Sequence, residues 1–148
     1  MLIDTKRLQE LYPSALLSSF MGIFTDLIMV KYNLWKYDSD FFGSLEVPML
    51  LDLSIYPVVA MLYIQFFPEK KSWAKRIFYT ACWVLFSISL EWIFLQRGEM
   101  EHHMWWRLWY SFGADWIIYG ILYTMYRVLK SGMPQEQREE ETPLHGRS

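Results

Sequence analysis

Four long apolar stretches, each interrupted by one acid, give the chain its pattern. Residues 12–30 hold Asp26 as their only charge, 47–68 hold Asp52, 77–96 hold Glu91, and 108–126 hold Asp115. At about 1.5 Å per helical residue, stretches of this length match a hydrocarbon layer about 30 Å thick. The pattern therefore predicts an all-α, integral membrane up-down four-helix bundle, with spans at about 12–32, 47–68, 77–96 and 105–128 inside a domain over 1–130. Residues 2–11 read as a short interfacial helix with Leu2, Ile3, Leu8 and Leu11 on its apolar face. Residues 131–148 are polar and broken by Pro and Gly, which predicts a disordered cytoplasmic tail.

Lys and Arg orient the bundle. The connection over 69–76 carries four bases, whereas the other two connections carry two each beside Asp38, Asp40 and Glu46 or Glu99 and Glu101. Placing both termini and the 69–76 connection in the cytoplasm puts ten of the fourteen Lys and Arg residues inside, as the positive-inside rule favours. Aromatic residues such as Tyr12, Tyr32, Trp35, Tyr37, Phe66, Phe67, Trp73, Trp105, Trp106 and Trp109 fall near the expected water–lipid boundaries.

Composition narrows the function classes. Of 148 residues, 53% are hydrophobic and 20% charged, for a net charge of −2, so no basic face invites nucleic acid. The lone Cys82 excludes an internal disulfide. No phosphate loop, Cys-x-x-Cys, HExxH or G-x-S-x-G motif is present, so the chain names no cofactor. The N-terminal MLIDTKRLQE, charged on both sides of a short apolar break, is not expected to be a signal peptide.

Candidate chemistry lies in the intramembrane acids. An acid in a spanning helix is costly and marks a functional site facing the bundle interior. Helical rise places all four in the outer half of the membrane, within about one turn of a common level. Each continues a polar or small stripe: Ala15, Ser18, Ser19, Gly22, Thr25 and Asp26 on the first helix; Asp52, Tyr56, Ala60 and Tyr63 on the second, beside a kinking Pro57. The third offers Thr80, Ser87 and Glu91, and the fourth Arg107, Ser111, Asp115, Tyr119 and Tyr123. Asp26, Asp52, Tyr56, Glu91, Arg107, Ser111, Asp115 and Tyr119 thus form the expected ion- or ligand-binding set, with Arg107 as the counter-charge of carboxylates that cannot all stay ionised. His102 and His103 stand in the loop over the same site as candidate metal ligands, or as solvated, proton-titrating groups.

The segment Val47-Pro48-Met49-Leu50-Leu51-Asp52-Leu53-Ser54-Ile55-Tyr56-Pro57, in a four-span chain rich in Trp and Tyr, resembles a family of small uncharacterised integral membrane proteins of spore-forming Firmicutes. The resemblance covers residues 12–128. It implies a bacterial cell (inner) membrane as location and carries no activity. The chain is not similar to small multidrug exporters, which have one acid in their first helix.

Three classes follow. The acid vestibule binds or conducts a proton, metal ion or small cationic molecule; or the acids are helix-packing contacts of a non-catalytic accessory subunit; or two carboxylates act as acid and base in a membrane enzyme, which no accompanying nucleophile supports. The lipid bilayer is the first partner. A homodimer or larger membrane complex would relieve the small lumen of a lone bundle.

Overall fold

The computed structural model describes residues 7–37 and 51–132. Among them the chain is mostly helical. Helix α1 spans Leu8–Lys31, strand β1 Trp35–Tyr37, helix α2 Tyr56–Gln65, helix α3 Trp73–Arg97, strand β2 Met100–His102 and helix α4 Leu108–Gly132. A π-helical turn over Leu51–Ile55 leads into α2. Pro57 sits in the first turn of α2, where its missing N–H costs least. The wider turn before it is the local answer to a ring that cannot donate backward, and such π-bulges gather at functional sites. The kink expected at Pro57 is thus a change of helix type just before it.

Helices α1 and α3 are long and apolar enough to cross a membrane by length and composition, and the stretch over Leu51–Gln65 is a shorter apolar helix. Helix α4 has the length, about 37 Å, but its Tyr, Gly and Ser content lowers its hydropathy. Around an apolar core, many large apolar side chains lie on the outside and several polar ones lie inside. Leu16, Phe20 and Phe24 on α1, Phe78 and Leu85 on α3, and Trp109 and Ile117 on α4 are exposed, while Ser14, Ser18, Asp52, Thr80 and Ser111 are buried.

Helix α1 packs between α2 and α4, and α3 packs on α4. The gap between α2 and α3 is filled by aromatic side chains: Tyr63 stacks on Tyr79 and meets Trp83 edge-on, and its hydroxyl lies 3.1 Å from Thr80 Oγ1. The densest core joins Leu11, Ala60, Tyr63, Ile64, Val84, Leu122 and Tyr126. It occupies the half of the bundle nearer the termini.

That end is clasped by charge. Arg7 pairs with buried Glu10 at 2.9 Å and donates to the Gln65 carbonyl at 3.2 Å. Lys130 bonds Glu69 at 3.0 Å and the Tyr126 hydroxyl at 2.9 Å, with Glu10 3.8 Å away. Of the expected interfacial helix over 2–11, Leu8 and Leu11 belong to the first turn of α1, where Leu11 is buried in the core and Leu8 is exposed. Leu2 and Ile3 lie outside the described residues. So does the expected tail beyond 132, while Ser131 and Gly132 extend α4.

The opposite end carries a small lid. Two residues past the end of α1, Asn33 is in the left-handed conformation with φ of 59°, and Gly98, just past α3, has φ of 73°. Asn and Gly tolerate that region, so each helix stops sharply. At the end of α3 the Glu99 amide donates back to the Phe94 carbonyl, which completes a Schellman-type stop. Each chain then runs straight into a three-residue strand. β1 and β2 pair antiparallel, with Trp35 opposite His102, Lys36 opposite Glu101 and Tyr37 opposite Met100. The His103 amide extends the ladder to the Leu34 carbonyl at 2.8 Å.

Candidate functional site

Beneath the lid lies a cavity of about 130 Å³, bounded by all four helices and both strands. Asp26, Glu91 and Asp115 line it, with Ser18, Tyr56, Ser87, Ser111 and Tyr119. Asp52 packs just behind this wall. It is 1% exposed, and it reaches that position because Gly22 of α1 has no side chain: a β-carbon there would collide with the Asp52 carboxyl and lie 3.1 Å from the Tyr56 ring. Asp26 and Asp52 face each other within reach of a shared hydrogen bond. Two carboxyls so placed require a proton or a cation between them. Asp52 Oδ1 has no hydrogen-bond donor among the described residues.

The other two acids form a second pair, Glu91 acting electrostatically on Asp115. Glu91 Oε1 accepts from Ser111 Oγ at 2.6 Å and lies 2.8 Å from His102 Nε2. Ser111 in turn accepts from the Trp106 indole at 3.1 Å, and Trp106 meets Trp35 edge-on. No hydrogen bond reaches Asp115 from the described residues. Tyr56 stands within electrostatic range of all four acids. The Ser18 hydroxyl donates to the Tyr56 carbonyl at 3.2 Å, and Ser87 is bonded to the Tyr119 hydroxyl at 2.9 Å. The polar stripes of the four helices are therefore joined across the bundle.

The lid contributes directly. Tyr37 donates to Asp26 at 3.0 Å. Burial, with the nearby Asp26 charge next, pushes the Tyr37 hydroxyl well above the usual tyrosine range, so it remains a donor. His102 stacks under Trp35 and reaches Glu91, so each strand ends on one carboxylate.

Arg107 requires a correction. It is exposed at the N-terminal end of α4, outside the cavity, and among the described residues no ion pair joins it to an acid. It precedes the first residue of α4, Leu108, and its backbone carbonyl accepts from the Tyr110 amide at 2.8 Å as the helix opens. The basic group that meets the acids is His102. The two histidines also part company: His103 lies 3.3 Å from Glu101, away from Glu91. No three His, Cys, Asp or Glu side chains among the described residues are placed to hold a metal ion.

Trp35, Tyr37, Met100 and Trp106 line the cavity without having been singled out for it from sequence. Three residues of alternation in each connection are too few to mark the strands, and Trp106 lies outside both of them. Comparison with protein-family models, with curated proteins and with solved structures finds no match.

Proposed function

We propose that the chain is a four-span membrane protein whose outward-facing, carboxyl-lined cavity binds or conducts a proton, a metal ion or a small cationic ligand. The observation that carries this reading is the gathering of acids from four helical segments: Asp26, Glu91 and Asp115 line one cavity, and Asp52 packs directly behind its wall. Asp52 Oδ1 is enclosed without a donor, and the half-buried Asp115 receives no hydrogen bond, among the described residues. An enclosed acid without a donor is costly unless a proton or cation completes it. The apolar exterior of α1, α3 and α4 supports lipid as the surrounding solvent, and the Lys and Arg distribution supports a cytoplasmic clasp and an outward lid. A bacterial inner membrane is the setting that the family resemblance implies.

A second reading has its own support. Ser111 to Glu91 and Tyr37 to Asp26 are contacts between elements, as helix-packing acids would make in a homodimer or an accessory subunit of a larger complex. Single cysteines at Glu101 and Ser72, in a Cys82→Ser background, test the arrangement. An impermeant thiol reagent on intact cells should label position 101 and leave 72 untouched until the membrane is opened. Proteoliposome proton and cation uptake that is lost in Asp115→Asn, with melting temperature unchanged, supports the site. Unchanged uptake with a lowered melting temperature supports packing.

A further inference from the structure

We propose that the cavity takes a small organic ammonium ion, of about the bulk of tetramethylammonium, rather than a bare metal ion. The inference rests on the cation-binding reading above and names the ligand class. Size is the first argument. A cavity near 130 Å³ is close to those that hold a single benzene-sized molecule, roughly six heavy atoms. The walls are the second. Aromatic residues from four parts of the chain, Trp35, Tyr56, Trp106 and Tyr119 among them, line the same space, and aliphatic residues make up about half of the remaining lining. A metal ion needs several oxygen or nitrogen ligands at close range, and no three such groups among the described residues are placed to supply them. A quaternary ammonium needs no ligating atoms. Its charge is spread over methyl groups that rest on ring faces, and carboxylates a few ångströms away supply the balancing field.

Unpartnered polar atoms point the same way. Asp52, 1% exposed, keeps Oδ1 without a donor beside Gly22 and Tyr56, both of which line the cavity. Trp35 Nε1 is also buried without a partner, on a ring that lines the cavity. With Asp26, backed by Asp52, and the pair Glu91 and Asp115 contributed by different helices, a cation in the cavity meets carboxyls from α1, α3 and α4.

The test uses the full chain in lipid nanodiscs, titrated with tetramethylammonium chloride and, at matched ionic strength, sodium chloride, manganese chloride and neutral tert-butanol. The expected result is a saturable rise in melting temperature with tetramethylammonium alone. Trp35→Leu should weaken the half-saturating concentration about five- to tenfold, and Trp35→Phe should stay within about twofold. If Trp35→Leu fails to fold, Tyr56→Leu against Tyr56→Phe reads the same contrast. Saturation by manganese or sodium, without tetramethylammonium, overturns the organic-ion inference and leaves the cation site standing. Equal saturation by tert-butanol overturns both, since bulk and not charge would be selected. No saturable response to any of them overturns the inference, and proton uptake then decides the broader reading.

Discussion

Gly22 of α1 is the space that Asp52 fills. A β-carbon at Gly22 would meet Asp52 Cγ at 2.9 Å and the Tyr56 ring at 3.1 Å, so the carboxyl reaches the other acids only across a bare stretch of helix. Small residues let helix backbones approach closely in lipid, and here the approach delivers a charge-bearing group. Gly22→Ala should cost about 1–3 kcal/mol by overpacking. Pairing it with Asp52→Ser should recover part of that loss, giving a non-additive double-mutant cycle in detergent unfolding. An additive cycle with a neutral Gly22→Ala would contradict the contact.

The lid register predicts a cross-link. Lys36 and Glu101 are direct partners across β1 and β2, a spacing of about 4.5–5.5 Å between Cα atoms that suits a disulfide. Lys36→Cys with Glu101→Cys, in a Cys82→Ser background, should oxidise spontaneously and shift on a non-reducing gel. Lys36→Cys with Glu99→Cys should do so poorly. Equal cross-linking of the two pairs would mean that the connections do not pair in this register.

At the termini end, Glu10 is 3% exposed while its partner Lys130 also reaches the more open Glu69. Glu10→Gln should lower stability by about 1–3 kcal/mol, because buried hydrogen bonds to charged groups are lost. Glu69→Gln, at a half-buried and less enclosed site, should cost less, under about 1 kcal/mol. Chemical denaturation of the two variants in the same detergent checks the order.

Arg107 and Glu91 separate the expected from the observed electrostatics. Arg107→Gln should change stability by no more than about 0.5 kcal/mol, as surface substitutions do. Glu91→Gln, which disturbs the contacts to Ser111 and His102, should cost about 0.5–2 kcal/mol. Thermal melts of both in detergent decide it, and a greater loss from Arg107→Gln would restore Arg107 as the counter-charge.

Helical periodicity made the polar stripes legible in the sequence, and six of the eight residues read from them line the cavity: Asp26, Tyr56, Glu91, Ser111, Asp115 and Tyr119. Spacing of four along a helix fixes a shared face, which is why Ser111, Asp115 and Tyr119 fall together. The same rule misplaced Arg107, because the face of a residue at a helix opening is set by the turn before it. Three-residue strands leave too little alternation to read, so the lid went unseen, and with it the roles of Trp35, Tyr37 and His102. Pairing between β1 and β2 links segments 65 positions apart in the chain, which no local pattern encodes.

The cavity proposed to face outward should favour positive charge. Ser87 lines that cavity and Cys82 is exposed on the same helix, so Ser87→Cys in a Cys82→Ser background reports on it alone. Intact cells are treated with a trimethylammonium-bearing thiosulfonate and with a sulfonate-bearing one of similar size. The cationic reagent should label position 87 at least about tenfold faster, as a negative cleft focuses positive ions, and tetramethylammonium should slow it. Equal rates for the two reagents, or labelling only after the membrane is opened, would contradict the account.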